Sequence, residues 1–323
     1  VKLGATGPEV FPIGLGCMGM SGMYGASDER EAVATIERAI ERGVTLLDTG
    51  DFYGMGHNEM LVGRAIRGRR ERVQVSVKFG ALRAPDGAWS GVDGRPQAVK
   101  NFAAYSLQRL GVEQIDVYRL ARLDPTVPIE ETVGAIADLV RAGYVRHVGL
   151  SEVSADTVRR AHAVHPVVDV QIEHALVTRR PEAALFPALR ELGISATLYG
   201  VLSRGLLSGS RPTGPADFRA YLPRFSGDAG ARNQGLAATL AAFGADRGMT
   251  ASQVAIAWSR ARCPDFVTLV GARTRAQLDE ALGALERPLS AADAAALEQA
   301  VPAEAISGAR YPEAQMKHLD SER

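Results

Sequence analysis

An acid, a phenol and an ammonium stand at the ends of two neighbouring apolar runs. Asp48-Thr49-Gly50-Asp51-Phe52-Tyr53-Gly54 follows the first run, and Lys78 ends the second, Val75-Ser76-Val77-Lys78-Phe79-Gly80. A phenol with an ordinary pKa of about 10 is a poor acid and a poor base at neutral pH. An ammonium beside it favours the phenolate, and a carboxylate holds that ammonium in place. In such a set Tyr53 delivers a proton to a substrate oxygen, Lys78 tunes it and Asp48 orients Lys78. Lys is used four times among 37 basic residues, so a lysine ending a buried run reads as chosen for its compact ammonium. On the residues alone, a snorkelling surface lysine beside a loop tyrosine remains the competing account.

Groups placed at strand ends need a frame that brings strand ends together. Short apolar or alternating runs recur at 13–18, 45–48, 75–79, 115–120, 147–151, 168–173, 195–199 and 267–270, with helical stretches between them. Ser27 is expected to cap a helix over 28–41 with Gly43 after it, Pro96 to open one ending at Gly111, and 129–142 to stop at Gly143. Capping-box patterns begin at Thr250, Thr274 and Ser290. Eight strands alternating with helices over this length predict an α/β fold, a (β/α)8 TIM barrel, as a single domain over 1–323. A small N-terminal hairpin over 3–11 precedes the barrel. The segment 205–234, rich in Gly, Pro, Ser and Arg, is long enough to be a lid or a disordered loop at the active end. One strand parity collects Ser76, Lys78, Arg119, His147, Ser151, Gln171, Glu173, Thr197 and Tyr199, polar groups gathered toward the C-terminal ends where barrel enzymes work.

Bulk properties narrow the partners. Lys+Arg 37 balances Asp+Glu 37, so no net field attracts nucleic acid or an anionic membrane, and a small-molecule substrate is expected. Cys17 and Cys263 are the two cysteines, far apart and without metal-ligand spacing, which argues for a reducing compartment. No apolar run has bilayer length, and the start, Val1-Lys2-Leu3-Gly4, lacks a signal-peptide core and reads as trimmed. The expectation is a soluble, cytoplasmic monomer or small homo-oligomer. Gly14-x-Gly16-x-x-Gly19 matches the dinucleotide fingerprint, but Met20-Ser21-Gly22-Met23-Tyr24-Gly25 cannot open the helix that such a turn requires. His57, His162, His165 and His174 assemble no ligand set, so no metal is expected. His174 is assigned to packing.

The segments around Asp48, Tyr53 and Lys78 resemble the aldo-keto reductases. The resemblance continues through Val145-Arg146-His147-Val148-Gly149-Leu150-Ser151-Glu152, Gln171-Ile172-Glu173 and Leu269-Val270-Gly271-Ala272-Arg273, in order, over roughly 3–300. It implies NADP (NADPH) as cofactor, with Gly271, Ala272 and Arg273 bringing a phosphate to a helix N-terminus and an Arg fork. It also implies Gln277 and Glu280 at the adenosine end and Ser151, Glu152 and Gln171 on the nicotinamide amide, with Tyr199 stacked on the ring. Gly200, Val201, Leu202, Ser203, Arg204 and Gly205 would follow the pyrophosphate, and Gly16, Cys17, Met18 and Asp48 would complete the cofactor's bed. Two departures weaken the match: Glu152 and Ala281 stand where many members carry Asn.

A third departure bears on the chemistry. In Ile115-Asp116-Val117-Tyr118-Arg119-Leu120-Ala121 most members are similar but carry a histidine at the position of Ala121, which donates to the substrate carbonyl. Losing one such donor typically costs about 10²–10³ in rate. Either Arg119 with a water substitutes, or the vacated volume admits a bulkier substrate with a polarised C=C or an imine; alternatively, Arg119 only neutralises Glu173. The substrate walls are expected from Met18, Tyr24, Phe52, Phe79, Trp89, Tyr118, Arg119 and Ala121. Their apolar character argues for an uncharged substrate. The expected function is NADPH-dependent hydride transfer to a carbonyl with Tyr53 as general acid. The alternative is an NADP(H)-binding sensor or interaction subunit with little activity.

Overall fold

The computed structural model describes residues 1–215 and 217–323; position 216, inside the segment 205–234, lies outside the described residues. Among the described residues ten strands are present: β1 (Ile13–Gly16), β2 (Leu46–Gly50), β3 (Gln74–Phe79), β4 (Ala81–Arg83), β5 (Trp89–Val92), β6 (Ile115–Leu120), β7 (Val145–Ser151), β8 (Val167–Glu173), β9 (Ser195–Tyr199) and β10 (Val267–Gly271). Eight of them close a parallel barrel in the order β1-β10-β9-β8-β7-β6-β3-β2, and β4 and β5 form a separate antiparallel pair. The eight expected runs are these eight barrel strands. The fold is therefore the (β/α)8 barrel anticipated from the alternation.

Why these runs become parallel strands follows from burial on both faces. Val75, Val77, Val170 and Ile172 pack outward against the helical ring, while Ser76, Lys78, Asp169 and Gln171 point into the barrel. Polar inward residues are tolerated only because they pair with one another, as the site geometry shows below. Pro96 opens the helix Pro96–Leu110, and Gly111 ends it at φ 64, a left-handed conformation that an L side chain rarely adopts. Beneath the barrel, the N-terminal turn plugs the closed end with Leu3 and Val10 against Leu46, Val117, Val168 and Val267. The expected hairpin shrinks to a single Lys2–Glu9 bridge plus reciprocal Val1–Val10 bonds of 2.8 Å, because its Gly- and Pro-containing turn takes up most of its length.

Local expectations needed three corrections. Asp28, not Ser27, caps the first helix, Glu29–Glu41, accepting from the Glu31 N–H at 2.9 Å. Thr250 and Ser290 form reciprocal capping boxes, whereas Thr274 caps one way only, since the Gln277 side chain accepts from Arg273 N at 2.9 Å instead. The segment 205–234 is not loop throughout: short 3-10 turns at Phe218–Tyr221 and Pro223–Phe225 lead into the helix Gly227–Ala245. Its alanines and leucines supply helix propensity that the flanking glycines obscured. Among the described residues, no helix is long and apolar enough to cross a membrane.

Candidate active site

Strand register stacks the inward charges at one level of the barrel. Asp48 sits beside Ser76, Lys78 beside Arg119, and Arg119 beside Gly149. Asp48 pairs through Oδ1 with Lys78 Nζ. Its Oδ2 accepts from Arg119 Nη1 at 2.9 Å, from Gln171 Nε2 at 2.9 Å and from Ser76 Oγ at 3.2 Å. Arg119 also donates to Ser76 Oγ and, through Nη2, to Asp169 Oδ1 at 2.7 Å, while Thr197 donates to Asp169 Oδ2. Two carboxylates and two cations thus neutralise each other in a dry interior, where either sign alone would carry a desolvation cost of several kcal/mol. Room for the Arg119 guanidinium comes from Gly149: a Cβ there would lie 2.9 Å from Val117 Cγ1 and 3.2 Å from Arg119 Nε.

This arrangement overturns both readings of Arg119. Its guanidinium is fully buried beneath the site, outside the cavity wall, and its partners are Asp48 and Asp169. Glu173 is met instead by Arg204 at 2.9 Å and Arg224 at 3.4 Å. The reason is register: Arg119 stands level with Lys78, between β3 and β7, and reaches across to β8 only as far as Asp169.

Above this layer Tyr53 borders a cavity of about 410 Å³. Lys78 Nζ lies 5.1 Å from its ring centroid. Burial first, and the Asp48 carboxylate second, push the Tyr53 phenol well above its ordinary value, against a pull from Arg122. The expected net lowering by Lys78 is thus outweighed, and the phenol keeps its proton at neutral pH. Burial also lowers the Lys78 ammonium, opposed by Asp48.

The cavity gathers most of the residues singled out from the sequence. Asp48, Tyr53, Lys78, Ser151, Gln171 and Tyr199 line it where the strands end; Met18, Tyr24, Phe52, Trp89 and Ala121 line it too, as do Gly16, Gly200, Val201, Leu202, Arg204, Gly205, Gly271, Ala272, Arg273, Gln277 and Glu280. Six do not reach it: Phe79, Tyr118, Arg119, Cys17, Ser203 and Glu152. Phe79 lies on the opposite strand parity from Lys78 and stacks on Tyr118 at 4.1 Å, so both face the helices. Arg119 lies below. Cys17 is buried with its thiol turned to Leu15 O, and burial raises that thiol's pKa. Ser203 is buried at φ 47 within reach of Arg224. Glu152, at φ 54, is fully buried and its carboxylate is taken by neighbouring side chains. Its Oε1 accepts from Tyr199 OH at 2.7 Å, and its Oε2 accepts from Arg310 Nη2 and Ser321 Oγ, each at 2.6 Å. Burial would raise that carboxyl, but Arg310 and then Arg122 outweigh it and bring it down to about 2.

Two observations suit the cavity to a nicotinamide nucleotide phosphate. Ser151 Oγ is buried without a partner among the described residues, as a hydroxyl awaiting a carboxamide would be. Among the described residues the Arg273 guanidinium donates only to the carbonyls of Tyr24 (2.9 Å) and Ala26 (3.4 Å) and meets no carboxylate, beside the helix Arg275–Leu282. Arg275, by contrast, is taken by Glu31 at 2.9 Å, and Glu31 also accepts from the Arg275 N–H at the helix start. Of the two features expected to meet a phosphate, the Arg273 guanidinium is therefore the more open and the helix start the more occupied.

The sequence reading missed wall residues of two kinds. Arg83 and Arg122 border the cavity, the latter because the chain turns inward just after β6, where strand parity no longer applies. Tyr311 and Gln315 come from the C-terminal tail, beyond any periodic pattern; the Tyr311 ring lies 4.5 Å from the Arg204 guanidinium and its hydroxyl 3.4 Å from that of Tyr199. His174 packs as expected, stacked on Trp258 at 5.2 Å with Nε2 2.9 Å from Glu182.

Known proteins share this architecture. A probable aldo-keto reductase from Glycine max is 40% identical over 320 residues, covering 96% of this chain and 91% of that protein. A glycerol dehydrogenase from Gluconobacter oxydans superposes with a TM-score of 0.80 at 25% identity, over 90% of this chain and 91% of its own. An aldo-keto reductase from Klebsiella pneumoniae in complex with NADPH gives a TM-score of 0.72 at 26% identity, over 91% and 92%. The sequence model described as the aldo/keto reductase family matches residues 12–302, and with the barrel, the cavity at its mouth and these relatives, the chain belongs to that family.

Proposed function

We propose that this NADP-dependent oxidoreductase reduces a carbonyl, or a related polarised double bond, with Tyr53 as the general acid. The observation that carries the reading is the meeting of Tyr53, Lys78 and Asp48 in the same cavity that holds the unpartnered Ser151 hydroxyl and Arg273. NADPH supplies the hydride when bound. All lining one cavity, Ser151 and Gln171 would orient its carboxamide, the Tyr199 ring would back the nicotinamide and Arg273 would hold a phosphate. Tyr53 retains its proton until a substrate oxygen gains negative charge, and then donates it. The Lys78 ammonium beside the ring, itself fixed by Asp48, stabilises the phenolate that remains. Ala121 offers no hydrogen bond to that oxygen, so the phenol is its principal donor.

The test is NADPH oxidation across aldehydes, ketones, enones and imines, in the wild type and in Tyr53→Phe. The variant is expected to lose about 10²–10⁴-fold in kcat while NADPH binding persists. Undiminished turnover in Tyr53→Phe would remove the phenol from the mechanism. NADPH binding without turnover on any of these classes would favour the sensor reading.

A further inference from the structure

Five arginines line the cavity: Arg83, Arg122, Arg204, Arg219 and Arg273. Arg204 is paired with Glu173 and Arg219 with Asp217, at 2.9 and 2.7 Å. Arg273 is assigned above to a cofactor phosphate. Arg83 and Arg122 have no carboxylate partner among the described residues. Arg122 gives Nη1 to the Ala121 carbonyl at 2.6 Å, and its Nε and Nη2 make no hydrogen bond among the described residues. Arg83, on β4, gives Nη1 to Gly87 O at 3.3 Å, and its guanidinium lies 5.8 Å from the Phe52 ring centroid and 5.9 Å from that of Trp89.

Barrel order separates these two cations from the cofactor's charges. From β10 the ring runs through β9, β8 and β7 to β6 in one direction, and through β1, β2 and β3 to β6 in the other. Strands β10 and β6 are therefore diametrically opposed. Arg273, just after β10, and Arg122, just after β6, stand on opposite sides of the mouth, and Arg83 follows β3, the neighbour of β6. Both Arg83 and Arg122 are close enough to act on the charge of Tyr53. Arg122 feels the Glu152 carboxylate at a distance, but that carboxylate is already bonded to Arg310, Ser321 and Tyr199, so the donors of Arg122 that face the cavity are left for a ligand to complete. At β10 a nucleotide phosphate would do so for Arg273, whereas none of the residues assigned above to the nucleotide lies on or just after β6.

We propose that the substrate bears a carboxylate besides its carbonyl, received side-on by Nε and Nη2 of Arg122, with Arg83 as a second cation at the rim. This rests on the carbonyl-reducing reading above and replaces the expectation of an uncharged substrate. A planar monoanion matches the free side of the Arg122 fork, whose other side is held by Ala121 O. The rings of Phe52 and Trp89 leave the body of that substrate apolar.

The test compares 4-carboxybenzaldehyde, its methyl ester and 4-formylphenyl phosphate in wild type, Arg122→Met and Arg122→Lys, by NADPH oxidation. In the wild type the carboxylate is expected to exceed the ester in kcat/KM by about 10- to 100-fold, mainly through KM. In Arg122→Met the ratio should fall to about one, and Arg122→Lys should recover part of it. An ester turned over as well as the carboxylate, an unchanged ratio in Arg122→Met, or a phosphate preferred to the carboxylate would overturn the inference while leaving carbonyl reduction intact. Failure of all three aldehydes would count against the reduction reading itself. Quenching of protein fluorescence by the carboxylate and the ester in the NADP⁺ complex then decides separately, since equal binding of the two overturns the inference. Should Arg122→Met not fold, the wild-type ratio and its decline with added salt still decide, because an ester preference or a salt-independent ratio would refute an ionic contact.

Discussion

Beneath the reacting groups, Asp48, Lys78, Arg119 and Asp169 all ride on barrel strands; beside them, Glu152 and Glu173 are met by Arg204, Arg224 and Arg310, all from outside the barrel strands. In the first cluster the strand ladder itself sets the spacing, so the charges are in place once the barrel closes. In the second, a carboxylate at the end of β7 or β8 is completed by side chains from distant loops and the tail, Arg310 lying 158 positions beyond Glu152. The contrast separates two jobs. The strand cluster fixes Lys78 under Tyr53, and the loop cluster ties the segment carrying Tyr311 and Gln315 across the mouth.

The largest effect should come from breaking the strand cluster. Arg119→Met leaves Asp48 and Asp169 each short of a buried counter-ion, and urea unfolding should show a loss of about 3–5 kcal/mol. A loss below about 1 kcal/mol would mean that the two clusters do not differ as described. Arg310→Met is the milder change, because Glu152 keeps the Ser321 and Tyr199 hydroxyls and Glu173 keeps Arg204 and Arg224. It should cost about 1–3 kcal/mol. Amide exchange should quicken in 310–323 while β2, β3 and β6 stay protected, and uniform acceleration throughout the barrel would contradict a tether.

Acid gives the finest separation of the two. Burial opposes ionisation of Glu152 and Glu173, yet Arg310 foremost for the first and Arg204 foremost for the second hold both below the ordinary glutamate value of 4.5, Glu152 at about 2. Folded values below unfolded ones mean stabilisation that is complete above pH 4.5 and lost as pH falls toward 2. Between pH 6 and 3 the wild type should lose about 2 kcal/mol through Glu152, and Arg310→Met less, by thermal or urea unfolding at each pH. Equal slopes in the two proteins would remove Arg310 as the cause.

Much of this was legible in the sequence because it is periodic. The eight runs are the eight strands, and parity puts Ser76, Lys78 and Gln171 inside; the same parity turns Phe79 and Tyr118 outward, so their aromatic character alone misleads about the substrate walls. Parity could place Arg119 inside but not choose its partner, since that depends on register between strands. Asp169 was passed over in an otherwise apolar run although it shares the parity of Gln171. Arg122 and Tyr311 lie where no period operates, one in a turn and one in the tail, and only the folded chain brings them to Tyr53.

The pairing of Glu152 with Arg310 and Ser321 also sets an order of events in synthesis. A ribosome that has made Glu152 must add another 158 residues before Arg310 exists, roughly 8–30 s at ordinary elongation rates. Over that interval the nascent chain carries this carboxylate without its cation, and a chain stalled between β10 and position 310 has every barrel strand but an unfinished rim.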